Sequence, residues 1–254
     1  MSAPDKCRRG VFMFFVVAVL VACSGTGRSV RDPVKAAEAN AELGLAYMQQ
    51  GRLELAMDKL QSALELDSGL PQAHHYIAEL YQRTGDEKLA DKHYRKALTL
   101  APEEPMLHNN YGVFLCRQRR YREAEDHFLE AAGQVFYRSP EVAYKNAGAC
   151  AYHAGDPDKA EQYYRKALQL KPRLAAALIG MAELKENQGA HLSARAFLQR
   201  YEEVARVTPR SLWLGVKVER ALGDDKAAAA YAAKLRRRFP AAAETARLEK
   251  LESP

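Results

Sequence analysis

Cysteine is scarce in this sequence. Four residues in 254 are too few for a disulfide-dense scaffold, and their spacing gives no four-ligand zinc pattern. Glycine (15) and proline (11) are few beside 44 alanines, and alanine is the strongest helix former, so an all-α chain is expected. No His-Glu-x-x-His pair, no Gly-rich phosphate loop and no Gly-x-Ser-x-Gly elbow occurs. The usual carriers of zinc-peptidase, nucleotide and acyl-transfer chemistry are therefore missing, and no enzymatic activity, cofactor or resident metal is expected. A membrane-length apolar stretch is absent too. The one strongly apolar run covers residues 11–22, shorter than the roughly 20 residues a spanning helix needs. What remains is 48% hydrophobic and 28% charged with a net charge of +6, a folded rather than disordered balance.

The apolar run follows Lys6, Arg8 and Arg9 and closes on Leu20-Val21-Ala22-Cys23. A basic head, a dozen apolar residues and a small-residue exit form a signal-peptide pattern. The last four residues resemble the bacterial lipobox, which implies removal of residues 1–22 and lipidation of Cys23; an ordinary secretory signal with an incidental cysteine is the alternative. The remaining chain would carry +4, because Asp5 and the three cations leave with the signal. Two or more acyl chains hold a protein durably, each buried CH2 contributing about 0.8 kcal/mol. Ser24, rather than Asp, after the lipidated cysteine is similar to lipoproteins sorted to the outer membrane, where the chain would sit on the periplasmic face. Residues 23–36 contain Gly25, Gly27, Ser29 and Pro33 and are expected to form a flexible tether spanning about 20 Å. The basic pI of about 9.1 would suit nucleic acid, but export removes that partner, and no small-molecule substrate is expected either.

A period of 34 residues governs the rest. Tyr47, Tyr81 and Leu115 stand one period apart, as do Ala56, Ala90 and Ala124, and Ala63, Ala97 and Ala131. Gly51 and Gly85 share a turn position that Gly155 and Gly189 occupy later, and Pro102 and Pro172 close their units. The pattern resembles the tetratricopeptide repeat, most fully in residues 71–104 and 141–174. The resemblance implies a solenoid of about six helix-turn-helix units over residues 37–254, at 37–70, 71–104, 105–140, 141–174, 175–208 and 209–242, with a C-terminal capping helix near 241–251. Small residues (Gly44, Ala78, Gly112, Gly148) would let helices approach, and Tyr94, Phe128 and Tyr164 would fill the spaces between them. One unit cannot bury its own apolar face, so stacking supplies the core. Unit three is two residues longer than the period, with the excess near 136–140. Unit five lacks its closing proline, and its second helix is expected to continue to about Val207.

Several strings narrow the resemblance: His108-Asn109-Asn110-Tyr111-Gly112-Val113-Phe114-Leu115-Cys116, Tyr137-Arg138-Ser139-Pro140, Lys145-Asn146-Ala147-Gly148-Ala149-Cys150 and Ser211-Leu212-Trp213-Leu214-Gly215. They are similar to the PilF/PilW family of type IV pilus biogenesis lipoproteins. That resemblance implies a pilotin, which escorts subunits of the pilus secretin to the outer membrane and supports their multimerisation. A general repeat-protein scaffold for outer-membrane or cell-wall assembly is the rival reading.

Cys116 and Cys150 lie on the first helices of adjacent units. They are either a disulfide or two buried thiols, and the family resemblance favours the disulfide. The repeat family also implies that positions 2, 5, 9, 12 and 13 of each unit face a concave groove. On that basis Leu45, Met48, His75, Glu79, Gln82, Asn109 and Val113 are the candidate protein-binding residues. Leu45, Glu79 and Val113 at position 9 depart from the Lys/Asn carboxylate-clamp type of this repeat. His74 and His108 share one repeat position and His93 and His127 another, a packing pattern rather than a metal site. Arg117, Arg119, Arg120 and Arg122 are read as a solvated helix-turn face.

Overall fold

A computed structural model describes residues 32–252; the signal segment 1–22, Cys23 and most of the tether lie outside them. Within the described residues the chain forms thirteen α-helices and no strand. They pair in chain order: α1 (Pro33–Gln49) with α2 (Leu53–Leu66), α3 (Pro71–Thr84) with α4 (Glu87–Leu100), α5 (Pro105–Arg117) with α6 (Tyr121–Gly133), α7 (Pro140–His153) with α8 (Pro157–Leu170), α9 (Ala175–Asn187) with α10 (His191–Glu202), and α11 (Pro209–Ala221) with α12 (Asp225–Arg238). The thirteenth, α13 (Ala243–Glu252), closes the array.

Local chemistry explains the boundaries. Asp86, Asp156 and Asp224 each accept a hydrogen bond from the backbone N–H three residues on, capping α4, α8 and α12. Proline opens α1, α3, α5, α7, α8 and α11, where its missing N–H has no helical partner to lose. Five within-unit turns place a glycine at φ between 74° and 86°; unit three instead holds Arg119 there, at φ 60°.

Two expected boundaries are corrected. Pro33 to Ala36 are helical rather than tether, because the Asp32 side chain accepts from Val34 N at 3.2 Å and starts α1. The second helix of unit five stops at Glu202, short of Val207. There Tyr201 O accepts from the N–H groups of Val204 and Ala205, and the Tyr201 hydroxyl donates to Arg206 O at 3.2 Å. A reciprocal Thr208–Ser211 capping box then starts α11. The excess in unit three is a loop before α7 that leaves Val135 89% and Phe136 94% exposed.

The core is a string of four clusters along the array rather than a single ball. Leu248 of α13 is fully buried with Leu212, Val216 and Leu235, so the last helix covers the end of the string. Aromatic side chains meet glycines across the helix pairs. The Tyr164 ring sits between Gly148 of α7 and Gly180 of α9, where an added Cβ would come within 2.8 Å and 2.6 Å of it. Consecutive first helices touch (α1 with α3, α5 with α7, α7 with α9, α9 with α11), whereas second helices pack on their own unit and on the next unit's first helix. That unequal spacing curves the array, with the first helices on its inner side.

Candidate protein-binding groove

The inner face is built from α1, α3, α5, α7, α9 and α11. Side chains of α3, α5 and α7 are joined by one chain of polar contacts. Lys145 Nζ donates to Asn146 Oδ1, Asn146 Nδ2 to Asn109 Oδ1 at 2.8 Å, and Asn109 Nδ2 to Asn110 Oδ1 at 3.1 Å. Asn110 Nδ2 then reaches Glu79 Oε1 at 3.0 Å, and His75 Nε2 stands 3.1 Å from the same oxygen. The chain runs from a cation in unit four to a carboxylate in unit two. Burial pushes the Glu79 carboxyl up, but bonding to His75, the Arg83 charge and the Asn110 bond outweigh it and hold the group below its usual range. Burial lowers the Lys145 ammonium.

Beside this chain lies a cavity of about 220 Å3 lined by Glu79, Gln82, Arg83, Tyr94, Val113 and Arg117, among others. Its floor is held by the Tyr94 hydroxyl, which donates to Gln82 Oε1 at 3.2 Å. A second inner cavity of about 360 Å3, towards the C-terminal end, includes Tyr152, Asn187, Trp213 and Lys217. There Lys217 pairs with Glu186 at 2.7 Å and Arg210 pairs with Glu183, so these two cations are matched, while Arg247 of α13 also lines the cavity.

The structure separates the expected groove residues. Glu79, Gln82 and Val113 line the 220 Å3 cavity. Leu45 is half-buried against the first core cluster. Met48 is a correction: it is fully buried in that cluster and does not line the groove. The neighbouring Arg83 guanidinium donates to Met48 O at 2.8 Å, closing the end of α1. His75 and Asn109 are buried as well and act within the polar chain rather than as open surface. The arginine cluster is not uniformly solvated, because Arg120 is partly buried and pairs with Asp91 and Glu123 at 2.6 Å each. Lys145, Asn110 and Asn146 were missed as site residues; carrying the same groove positions into unit four would have reached Lys145.

Tetratricopeptide-repeat family profiles match residues 44–85, 71–104, 103–173 and 151–212. The type IV pilus assembly protein PilF of Pseudomonas aeruginosa is 31% identical over 243 residues, covering 93% of this chain and 96% of that one. This chain belongs to the PilF/PilW family. A solved structure of Pseudomonas aeruginosa PilF superposes with a TM-score of 0.77 over 87% of this chain and 99% of that one, at 31% identity. The crystal structure of PilW, described as a widely conserved type IV pilus biogenesis factor, gives 0.78 at 29% identity over 84% and 97%. The expected all-α repeat solenoid and the family resemblance both stand.

Two further features of this PilF/PilW-family chain sit beside the groove. Cys116 of α5 and Cys150 of α7 bring their sulfurs to bonding distance, with Cα atoms 5.8 Å apart. The histidines pair within units. His74 Nε2 is 3.2 Å from Ser68 O and its Nδ1 is 3.1 Å from His93 Nδ1; His108 repeats this with Pro102 O at 2.7 Å and His127 Nδ1 at 2.9 Å. Since each Nε2 faces a carbonyl, it carries the proton and the facing Nδ1 accepts from the partner ring. A proton added at the accepting Nδ1 of His74 would set N–H against N–H. No group of three or more metal-binding side chains occurs among the described residues.

Burial and then the neighbouring His74 and Lys92 charges bring His93 down to about 4. Burial also lowers His74, with Lys96 adding to it against the Ser68 bond. His127 is lowered by burial, then by His108, with Asp126 and Glu123 opposing and Arg120 assisting. Bases depressed in the folded state bind protons first in the unfolded state, so stability falls as pH drops from 6.5 towards 4. After allowance for their partial exposure, the loss between pH 7.5 and pH 5.0 should total about 1–2 kcal/mol, read as a lower urea midpoint. Leucine at both 93 and 127 should flatten the profile; a wild-type midpoint that does not move over this range would refute the account.

Proposed function

We propose that this protein is an outer-membrane lipoprotein pilotin: it binds subunits of the type IV pilus secretin and promotes their delivery to the outer membrane and their multimerisation. The relationship to PilF over nearly the whole of both chains carries the reading. An inner face with open cavities, mixed charge and partly exposed apolar side chains supports it, since such a surface suits a polypeptide held by a few anchors. The chemistry is non-enzymatic. Lipid on Cys23 tethers the periplasmic solenoid, and tethering raises the local concentration of bound subunits, which favours ring assembly. Cys116 and Cys150 are oxidised in that compartment.

Membrane fractionation tests the scheme. Cys23→Ala should release the protein from the outer membrane and carry the secretin away with it, leaving heat-resistant secretin multimers at under about a tenth of the wild-type level. Full multimer levels in a deletion strain with a damaged envelope would instead favour the cell-wall scaffold.

A further inference from the structure

The cations of the inner face differ in one respect along the array. In units five and six each is matched: Arg210 with Glu183, Lys217 with Glu186. In units two to four, Arg83, Arg117 and Lys145 have no carboxylate at ion-pair distance among the described residues; Glu79 Oε1 is bonded by His75 and Asn110, and Arg83 acts on that carboxylate only at longer range.

Lys145 is the informative member of that group. It is half-buried, and its single protein partner is the neutral carbonyl oxygen of Asn146. A partly buried ammonium without a counter-charge costs stability unless something compensates it. Its donors are also in excess. An ammonium has three N–H groups and an asparagine amide two; Lys145 uses one, and Asn109 and Asn146 each use one. The Lys145 end of the polar chain thus presents positive charge and unused N–H groups to the groove, a combination that fits an anionic oxygen pair. At the far end the chain stops on the Glu79 carboxylate, so the polarity has a direction and the Lys145 end is the one that attracts an anion.

We propose that Lys145, assisted by the unused amide N–H group of Asn146, binds a carboxylate of the polypeptide held in the groove. The inference rests on the groove being a protein-binding site and adds the chemistry that the partner must carry. The arrangement differs from the carboxylate clamp at position 9, because here the amide beside the lysine is that of the next residue, Asn146, on the same helix. Arg83 and Arg117 extend the same preference towards unit two, so the bound segment carries acidic residues along this half of the groove.

Affinity selection on the purified full-length protein in mild detergent tests this, with a library of blocked nonapeptides randomised at every position as the probe. Acidic residues should be enriched about threefold to fivefold in the retained pool, the discrimination expected of a partly exposed ion pair. The enrichment should vanish with Lys145→Met and Lys145→Gln and persist with Lys145→Arg. Lys145→Met should also raise the urea midpoint, because an unmatched cation is removed; Lys145→Gln keeps a hydrogen-bonding side chain should Lys145→Met misfold. Running the library with amidated and with free C-termini separates the two carboxylate sources: enrichment in both places it on a side chain, enrichment with free ends alone places it on the chain terminus. Absence of acidic enrichment on the wild type, or equal enrichment on Lys145→Met and Lys145→Gln, would overturn the site. Co-purification with the secretin is scored separately. A protein that selects acidic peptides yet fails to hold the secretin keeps the site and loses the partner.

Discussion

Removing both sulfurs at the junction of units three and four (Cys116→Ala with Cys150→Ala), or reducing the wild type, should cost about 3–4 kcal/mol of unfolding free energy. The figure follows from closing a loop across 34 residues of sequence, which withdraws that much entropy from the unfolded chain. The location amplifies the consequence. On one side of this junction the linker carries the exposed Val135–Phe136 loop. On another, a cavity of about 580 Å3 lined by Tyr121, Leu129, Ala151 and Lys159, among others, opens along the seam of α6 with α7 and α8. Polar contacts cross that seam: Lys159 Nζ to Glu125 Oε2 at 2.8 Å, and the Tyr163 hydroxyl to the same carboxylate. A Cys116–Cys150 bond would add a covalent tie between α5 and α7 to the cluster that already joins the two units, in which Phe114 and Phe128 pack with Ala147 and Tyr163. In a solenoid each unit contacts its neighbours alone, so loss of the bridge should split one urea transition into two. Hydrogen exchange should report new opening at α5–α7 first. A melt that is single and unshifted after complete reduction would rule out this role.

Tyr164→Ala should be comparably damaging, at about 3–5 kcal/mol. The ring is 5% exposed and lies against glycines of two different helices, Gly148 and Gly180. Neither glycine has side-chain atoms with which to fill the vacated space, so collapse would require movement of α7 or α9 as bodies. Tyr164→Phe retains the ring and should stay within about 1 kcal/mol of wild type. Urea unfolding at neutral pH measures both. A loss below about 1.5 kcal/mol in Tyr164→Ala would mean that the helices close on the cavity freely and that the ring is not what spaces units four and five.

Much of this architecture is legible in the sequence because a repeat states its packing rules several times. Ala56, Ala90 and Ala124 recur at 34 residues because each must fit the same close approach, and all three are fully buried. Aspartate before α4, α8 and α12 and proline at the helix starts mark boundaries locally, since capping involves only neighbours in sequence. The reading failed where boundaries depend on one atypical contact. Tyr201 folds its hydroxyl back onto Arg206 O and ends α10 early, and no period predicts that. Arg119 at a glycine position illustrates the opposite case, in which the array imposes a left-handed backbone on a residue that would not choose it.

The groove was less legible. Position within a repeat says which way a side chain leaves its helix, not what then covers it. Met48 and Val113 occupy groove positions in their units, yet Met48 is sealed in the core while Val113 lines a cavity. The difference comes from which side chains of the same and the adjacent unit close over each position. The direct polar contacts from Lys145 to Glu79, the His74–His93 and His108–His127 pairs and the approach of Cys116 to Cys150 are likewise products of stacking.

The 44 alanines and a 34-residue period were enough to establish an all-helical solenoid and its unit boundaries to within a few residues, and local strings such as His108–Cys116 and Lys145–Cys150 carried the family resemblance. Those properties follow from short-range rules: helix propensity, caps, and small residues where backbones meet. Which groove positions stay open, and which cation is left without a carboxylate, was decided when adjacent units came together. Burial and charge pairing depend on side chains that distant parts of the chain bring to the same place, and one-dimensional spacing carries no record of them.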